Sequence, residues 1–335
     1  QKAGHEVKLY TFTVQYPALF FPGKTQFSQS APPADLEISR VLNTINPLSW
    51  TKTGRLIREE RPDLLIVRYW LPLLAPALGT ICRIVRKNGH TQIVSVVDNI
   101  IPHERRAGDH LLTKYFVNQV HGFLVMSRSV LKDLDRFDKK KPRVYSPHPI
   151  YDIYGPPVDR KEARKALNMD PEARYILFFG FIRDYKGLDW LLEAFSEKRF
   201  RGLNVRLMIA GEFYVDEAPY QRLIDVLEIR PYLDLHTHFI PDTDVNKYFC
   251  AADVVVQPYK NATQSGITQI AYHYNKPMIV TNVGGLAEMV PHERVGYVTR
   301  PRIGAIADAI YDFFTAGSEA EFVRNIQQEK KKFSW

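Results

Sequence analysis

Cysteine is nearly absent from this 335-residue chain, which holds only Cys82 and Cys250, far apart and in no metal-ligating spacing. That leaves no material for a disulfide framework or a cysteine-built metal site. Both thiols read as small core residues in a reducing compartment. Long apolar runs are lacking too. The best candidate, Leu71–Val85, is interrupted by Pro72 and Pro76 and is too short to cross a bilayer. No secretory pattern opens the sequence, so a cytoplasmic setting is expected. Absent as well are a His-Glu-x-x-His helix, a Gly-x-Ser-x-Gly elbow and any internal repeat, so zinc-peptidase and serine-hydrolase chemistry lack their usual carriers.

What is present is an ordinary globular composition, 45% hydrophobic and 24% charged, long enough for two α/β domains. The net charge of +8 fits anionic partners without choosing among them. The opening Gln1-Lys-Ala-Gly-His-Glu-Val-Lys-Leu-Tyr10 reads as a helix end, a glycine turn and a strand, so a strand and helix are expected upstream of it.

β-branched runs alternate with amphipathic stretches throughout. In the first half the strand candidates are Glu6–Val14, Asp63–Tyr69, Gln92–Val97, Gly122–Met126 and Arg143–Ser146. Helical patterns fall at Leu36–Ile45, Leu111–Val120 and Val130–Phe137. The segment from Ser146 to Val158 then places four prolines within eleven residues, which no helix or central strand tolerates. Beyond this linker the strand candidates are Tyr175–Gly180, Val205–Ala210, Leu235–Ile240, Ala252–Gln257, Pro277–Thr281 and Gly296–Thr299. Helices are expected at Leu188–Glu197, Tyr220–Glu228 and Ile267–Tyr274, and a last charged helix over Ser318–Trp335. Strand–helix alternation of this kind builds parallel sheets with helices on both faces.

Two loops carry the chemistry. In Phe178-Phe-Gly-Phe-Ile-Arg-Asp-Tyr-Lys-Gly187 a buried strand ends and Arg183 and Lys186 follow, just before a helix. Two cations beside a helix N-terminus suit a dianion. In Gln257-Pro-Tyr-Lys-Asn-Ala-Thr-Gln-Ser-Gly266 a second buried strand feeds a small-residue loop and another helix. The backbone N–H groups of Gly266, Ile267 and Thr268 can bind a diphosphate there, although Ser265 is equally an ordinary N-cap.

These runs, with Ala210-Gly-Glu212, Ala251–Tyr259 and Lys276–Glu288, resemble the second domain of a group 1 (family 4) retaining glycosyltransferase. The likeness covers roughly residues 170–300, with its motifs in order. Asp98-Asn-Ile-Ile-Pro-His-Glu104 carries a weaker likeness in the first half. The resemblance implies an α/β GT-B fold with two Rossmann-like, doubly wound domains. These would be an acceptor-side domain over 1–150, a nucleotide-sugar domain over 151–317, and a crossover helix over 318–335 returning to the first.

It further implies that Arg183 and Lys186 hold the donor's phosphates and His103 lies near the transferred sugar. Ile240 and Pro241 would border the base, while Thr263, Gln264, Ser265, Gly266, Ile267, Thr268 and Gln269 contact the donor. One departure is clear. The family carries two glutamates around this helix start, where this chain has Thr263 and Gln264, then Ala271 and Tyr272. The expected activity is sugar transfer from a nucleotide-diphosphate sugar to a glycan or lipid-linked acceptor, with retention of configuration. No metal and no cofactor is expected, nor nucleic-acid binding, while peripheral association with the inner face of a membrane fits the charge. The alternatives are a nucleotide-sugar epimerase and a non-catalytic nucleotide-sugar-binding relative.

Overall fold

The computed structural model describes residues 3–17, 32–33, 35–102 and 106–334. The chain divides into two compact units, Gln1–Ser146 and Pro147–Trp335.

In the first unit, β1 (Lys8–Val14) lies parallel to β2 (Glu37–Asn43). A separate parallel sheet has the order β3 (Leu64–Tyr69), β4 (Gln92–Val97), β5 (Gly122–Val125), β6 (Arg143–Tyr145). The connecting helices are α1 (Pro47–Glu60), α2 (Ala75–Val85), α3 (Asp109–Val117) and α4 (Arg128–Leu134). α1 starts where its local chemistry directs: the Asn46 side chain accepts from Leu48 N–H, and Pro47 follows at the first helical position. One sheet face, through Val67, Tyr69, Ile93, Val97, Phe123 and Val125, shares a core with all four helices. Tyr69 stacks on Phe116 at 4.3 Å and its hydroxyl pairs with Thr113 at 3.0 Å. The amphipathic reading of Leu36–Ile45 as a helix is corrected here. Pairing with β1 makes Glu37–Asn43 a strand, because a sheet partner distant in sequence outweighs a short helical period.

The second unit opens with α5 (Arg160–Ala166), capped by Asp159, and builds a six-stranded parallel sheet. Its strands are β7 (Arg174–Phe179), β8 (Val205–Ala210), β9 (Leu233–His236), β10 (Val254–Gln257), β11 (Met278–Thr281) and β12 (Gly296–Thr299), in the spatial order β12-β11-β10-β7-β8-β9. The helices are α6 (Leu188–Phe195), α7 (Ala218–Val226), α8 (Val245–Ala251), α9 (Gly266–His273), α10 (Leu286–Met289), α11 (Ile303–Thr315) and α12 (Glu319–Glu329). β7, β8, β10 and β11 are buried on both sides, which explains their unbroken apolar runs. β9 ends earlier than its pattern suggests, leaving Ile240 in the following loop.

Phe322 and Ile326 of α12, and Phe333 beyond it, lie in the cores of this second unit. Ser318 stands at the N-cap of α12, though its side chain makes no cap bond. At the amino ends of β7 and β10, Asp253 binds Arg160 at 2.7 Å and Arg164 at 3.0 Å and accepts from Tyr175 N–H. This ionic cluster ties α5 to the sheet.

Candidate functional site

The strand order fixes where the second unit can bind a ligand. From central β7 the chain steps outward through β8 and β9, then returns to β10 on the other side of β7. The loops leaving β7 and β10 therefore diverge at their carboxyl ends, and such a switch point opens a crevice. Both loops singled out from the sequence emerge there.

The loop after β7 turns at Gly180, whose φ of +93° is unfavourable for a side chain. It then runs beside the segment after β8, with Ile182 N–H donating to Glu212 C=O at 2.8 Å. A single 3-10 turn, Asp184–Lys186, ends at Gly187, where α6 starts. A Cβ on Gly187 would lie 2.1 Å from the Pro258 carbonyl oxygen, so only glycine lets the two loops touch. Lys260 seals them together, its N–H on Tyr185 C=O at 2.7 Å and its ammonium on Asp189 at 2.5 Å.

Lys186 is buried, 8% exposed, rather than the exposed loop lysine its neighbours in sequence suggest. Its Nζ lies over the Tyr259 ring, 5.9 Å from the centroid. A Cβ at Gly180 would meet this Nζ at 3.0 Å and Ile267 Cδ1 at 3.3 Å. The ammonium and the first turn of α9 thus converge on one point above Gly180. Burial first, and the Arg183 charge second, push the Lys186 pKa down from 10.5 to about 7, with no carboxylate opposing them among the described residues. A buried cation without an anion is costly, and sites that bind anions are where such arrangements are found. Arg183 is half-buried, its guanidinium 5.3 Å over the Tyr214 ring, which in turn stacks on Phe181 at 4.2 Å.

α9 begins as its sequence directs. Ser265 is the N-cap, its Oγ accepting from Ile267 N–H at 3.3 Å and meeting the Tyr259 hydroxyl at the same distance. Gly266 is required by packing: a Cβ there would lie 2.8 Å from the Tyr151 ring. Thr263, Gln264, Ser265, Gly266 and Ile267 are all partly exposed around this start. Thr268 instead turns inward, its buried hydroxyl exchanging hydrogen bonds with Gln257 at 3.2 Å, so only its backbone faces the helix start. Gln269 is 1% exposed, and its Oε1 has no hydrogen-bond partner among the described residues. Ala271 and Tyr272, at the second glutamate position, are fully buried, and the Tyr272 hydroxyl donates to Met289 C=O at 2.5 Å. Gly284 supports the loop from below, since a Cβ there would strike the Ala262 carbonyl oxygen at 1.6 Å.

The remaining sequence candidates lie elsewhere. His103 lies outside the described residues. Ile240 is buried in the core and Pro241 is exposed, both in the loop beyond β9. Tyr259, Tyr214 and Tyr151 escaped the sequence reading as site residues. Only Tyr259, in the Gln-Pro-Tyr-Lys run after a buried strand, carried a signal that could have found it.

Sheet order and switch-point loops define a doubly wound α/β unit whose crevice is lined by Lys186, Arg183 and the start of α9. Residues 173–315, nearly all of its sheet, match the family described as Glycosyl transferases group 1. Over this stretch the chain is similar to group 1 glycosyltransferases, and its fold is GT-B. Among curated relatives, D-inositol 3-phosphate glycosyltransferase of Pseudarthrobacter chlorophenolicus is 32% identical over 145 residues, covering 42% of this chain and 34% of that protein. The Jonesia denitrificans enzyme of the same name is 28% identical, covering 48% and 39%. The matches thus span only a third to two fifths of these relatives' length. In fold, the chain is similar to sucrose-phosphate synthase of Thermosynechococcus elongatus, with TM-score 0.76 at 18% identity, covering 100% of this chain and 86% of that one. It is also similar to Anabaena HepE in complex with UDP, with TM-score 0.71 at 17% identity, covering 89% and 82%. Among the described residues no helix is long and apolar enough to cross a membrane.

Proposed function

We propose that this protein transfers a sugar from a nucleotide-diphosphate donor to a glycan or lipid-linked acceptor, with retention of configuration and without a metal. The observation that supports it most is Lys186, a buried cation with no carboxylate beside it among the described residues, set against the start of α9 at the switch point. A diphosphate placed there would supply the missing counter-charge. As the sugar–phosphate bond breaks, negative charge grows on the leaving diphosphate and positive charge on the sugar. Lys186, Arg183 and the N–H groups of the α9 start are preorganised to stabilise that leaving charge. The departing phosphate oxygen can take the acceptor proton on the same face of the sugar, which gives retention without a protein nucleophile. With the leaving charge met by these groups, a metal has no vacancy to fill.

The lost glutamates shift sugar and ribose recognition to neutral groups. Gln264, a neutral donor and acceptor, would bond sugar hydroxyls. The unpaired Gln269 oxygen is one that a ribose hydroxyl would satisfy. A non-catalytic nucleotide-sugar binder is the second reading, favoured by the same departure. The test is a panel of nucleotide sugars with the full-length protein, following donor consumption and the anomeric configuration of the product. Retained-configuration transfer or hydrolysis supports the enzyme. Donor binding with no consumption, with acceptors present, supports the second reading, and inversion contradicts the mechanism.

A further inference from the structure

In the loop after β10, one side chain touches both anion-binding elements of the second unit. Pro258 ends the strand and Tyr259 follows, 3% exposed. Its backbone is held from the neighbouring strand, where the buried Thr281 hydroxyl at the end of β11 donates to Tyr259 C=O at 2.5 Å. Its ring meets Tyr185 edge-on at 6.2 Å, and the ring face lies under the Lys186 ammonium, 5.9 Å from the centroid. Its hydroxyl reaches Ser265 Oγ, the cap of α9, at 3.3 Å. A single rigid aromatic thus stands between the buried cation and the helix start.

We propose that Tyr259 is a positioning residue of this site, which turns the Ser265 hydroxyl into a donor for the bound anion and holds the Lys186 ammonium beside it. This role rests on the donor-site reading above, which places the anion. A serine hydroxyl offers two acceptor positions and one donor. One acceptor position of Ser265 takes the Ile267 N–H at 3.3 Å. The Tyr259 hydroxyl is buried, and a buried phenol proton needs an acceptor. Among the described residues Ser265 Oγ is that acceptor. With both lone pairs engaged, the Ser265 proton points away from Tyr259 and Ile267. Ser265 is half-buried, so its proton has the open side of the first turn of α9 before it. A phosphate oxygen at that turn then receives the serine O–H as well as the backbone N–H groups.

The ring acts on the other donor. A cation within about 6 Å of an aromatic face is attracted to it. Lys186 has no carboxylate beside it among the described residues to hold the ammonium instead. The ring therefore keeps Nζ above Gly180, where a Cβ would meet it at 3.0 Å. Phenylalanine at 259 keeps the ring and removes the hydroxyl, so the two contributions separate.

The test is calorimetry at pH 6.5 on the folded full-length protein, with inorganic pyrophosphate, UDP, GDP and ADP as probes and thermal unfolding measured alongside. Tyr259→Phe should weaken pyrophosphate and any nucleoside diphosphate that binds by about three- to tenfold. Ser265→Ala should cost at least as much, and the double variant no more than Ser265→Ala alone, because the phenol acts through the serine. Ser265→Thr, which keeps a hydroxyl, should recover most of the loss. Tyr259→Leu should fall below Tyr259→Phe, because the ring under Lys186 is lost too. A Tyr259→Phe variant that unfolds earlier yet binds every probe as the native protein does overturns the proposal, as do losses that multiply in the double variant. If pyrophosphate binds and no nucleotide does, the nucleotide-sugar reading fails, and the same comparison with pyrophosphate still decides the role of Tyr259. A native protein that binds none of the probes overturns both.

Discussion

Replacing Lys186 with methionine should make the folded protein more stable while weakening its site, a combination that an ordinary structural lysine would not give. Methionine keeps much of the stem volume and removes the charge. The Lys186 pKa stands at about 7 in the folded protein against 10.5 ordinarily, chiefly through burial and then through Arg183. At about 1.4 kcal/mol per pKa unit, this depression amounts to about 3–5 kcal/mol of instability. The sign follows from proton counts. Between pH 7 and 10.5 the unfolded chain holds a proton on Lys186 that the folded chain has released. Stability of the native protein must therefore rise with pH across that window, and the full penalty applies below it.

Urea unfolding at pH 6.5, 8 and 9.5 reads this directly. The Lys186→Met variant should be the more stable at pH 6.5, with its advantage shrinking by up to about 1.4 kcal/mol per pH unit above 7. Identical pH profiles for the two proteins would mean that Lys186 keeps an ordinary pKa, and the burial argument would fail.

Other outcomes follow from the same geometry. UDP, if it is the nucleotide bound, should bind more weakly as pH rises above about 7, by at most about tenfold per unit, because the protonated lysine is the binding form; calorimetry at constant ionic strength reads it. Gly180→Ala forces a side chain into a left-handed backbone and against Lys186 and Ile267, costing about 1–3 kcal/mol in thermal unfolding and lowering nucleotide affinity. Asp253→Ala takes the carboxylate from buried Arg164 at the opposite end of the sheet, while Arg160 keeps Glu319, so it should cost about 3–5 kcal/mol in urea unfolding while nucleotide affinity of the folded fraction is unchanged. Transfer should persist in excess chelator; a loss that magnesium or manganese restores would contradict the metal-free mechanism.

The strands were the most legible part of the sequence, because buried parallel strands such as Ile176–Phe179 and Val254–Val256 are unbroken apolar runs. Residues 37–43 were not, since a half-buried strand of seven residues carries a period too short to tell from a helix turn. The two anion loops were legible as motifs, but the burial of Lys186 was not. It depends on Tyr259 and on the contact of Gly187 with Pro258, both distant along the chain. Thr268 shows the same limit, because its pairing with Gln257 spans a strand and a helix.

The most direct test of the central claim is a titration of UDP, GDP and ADP, with the free nucleosides as controls, into the full-length protein and its Lys186→Met variant at pH 6.5. At least one nucleoside diphosphate should bind the native protein, and the variant should lose at least about tenfold in affinity, with nucleoside binding little changed. A nucleoside diphosphate that binds both proteins equally would contradict the placement of the diphosphate between Lys186 and the start of α9.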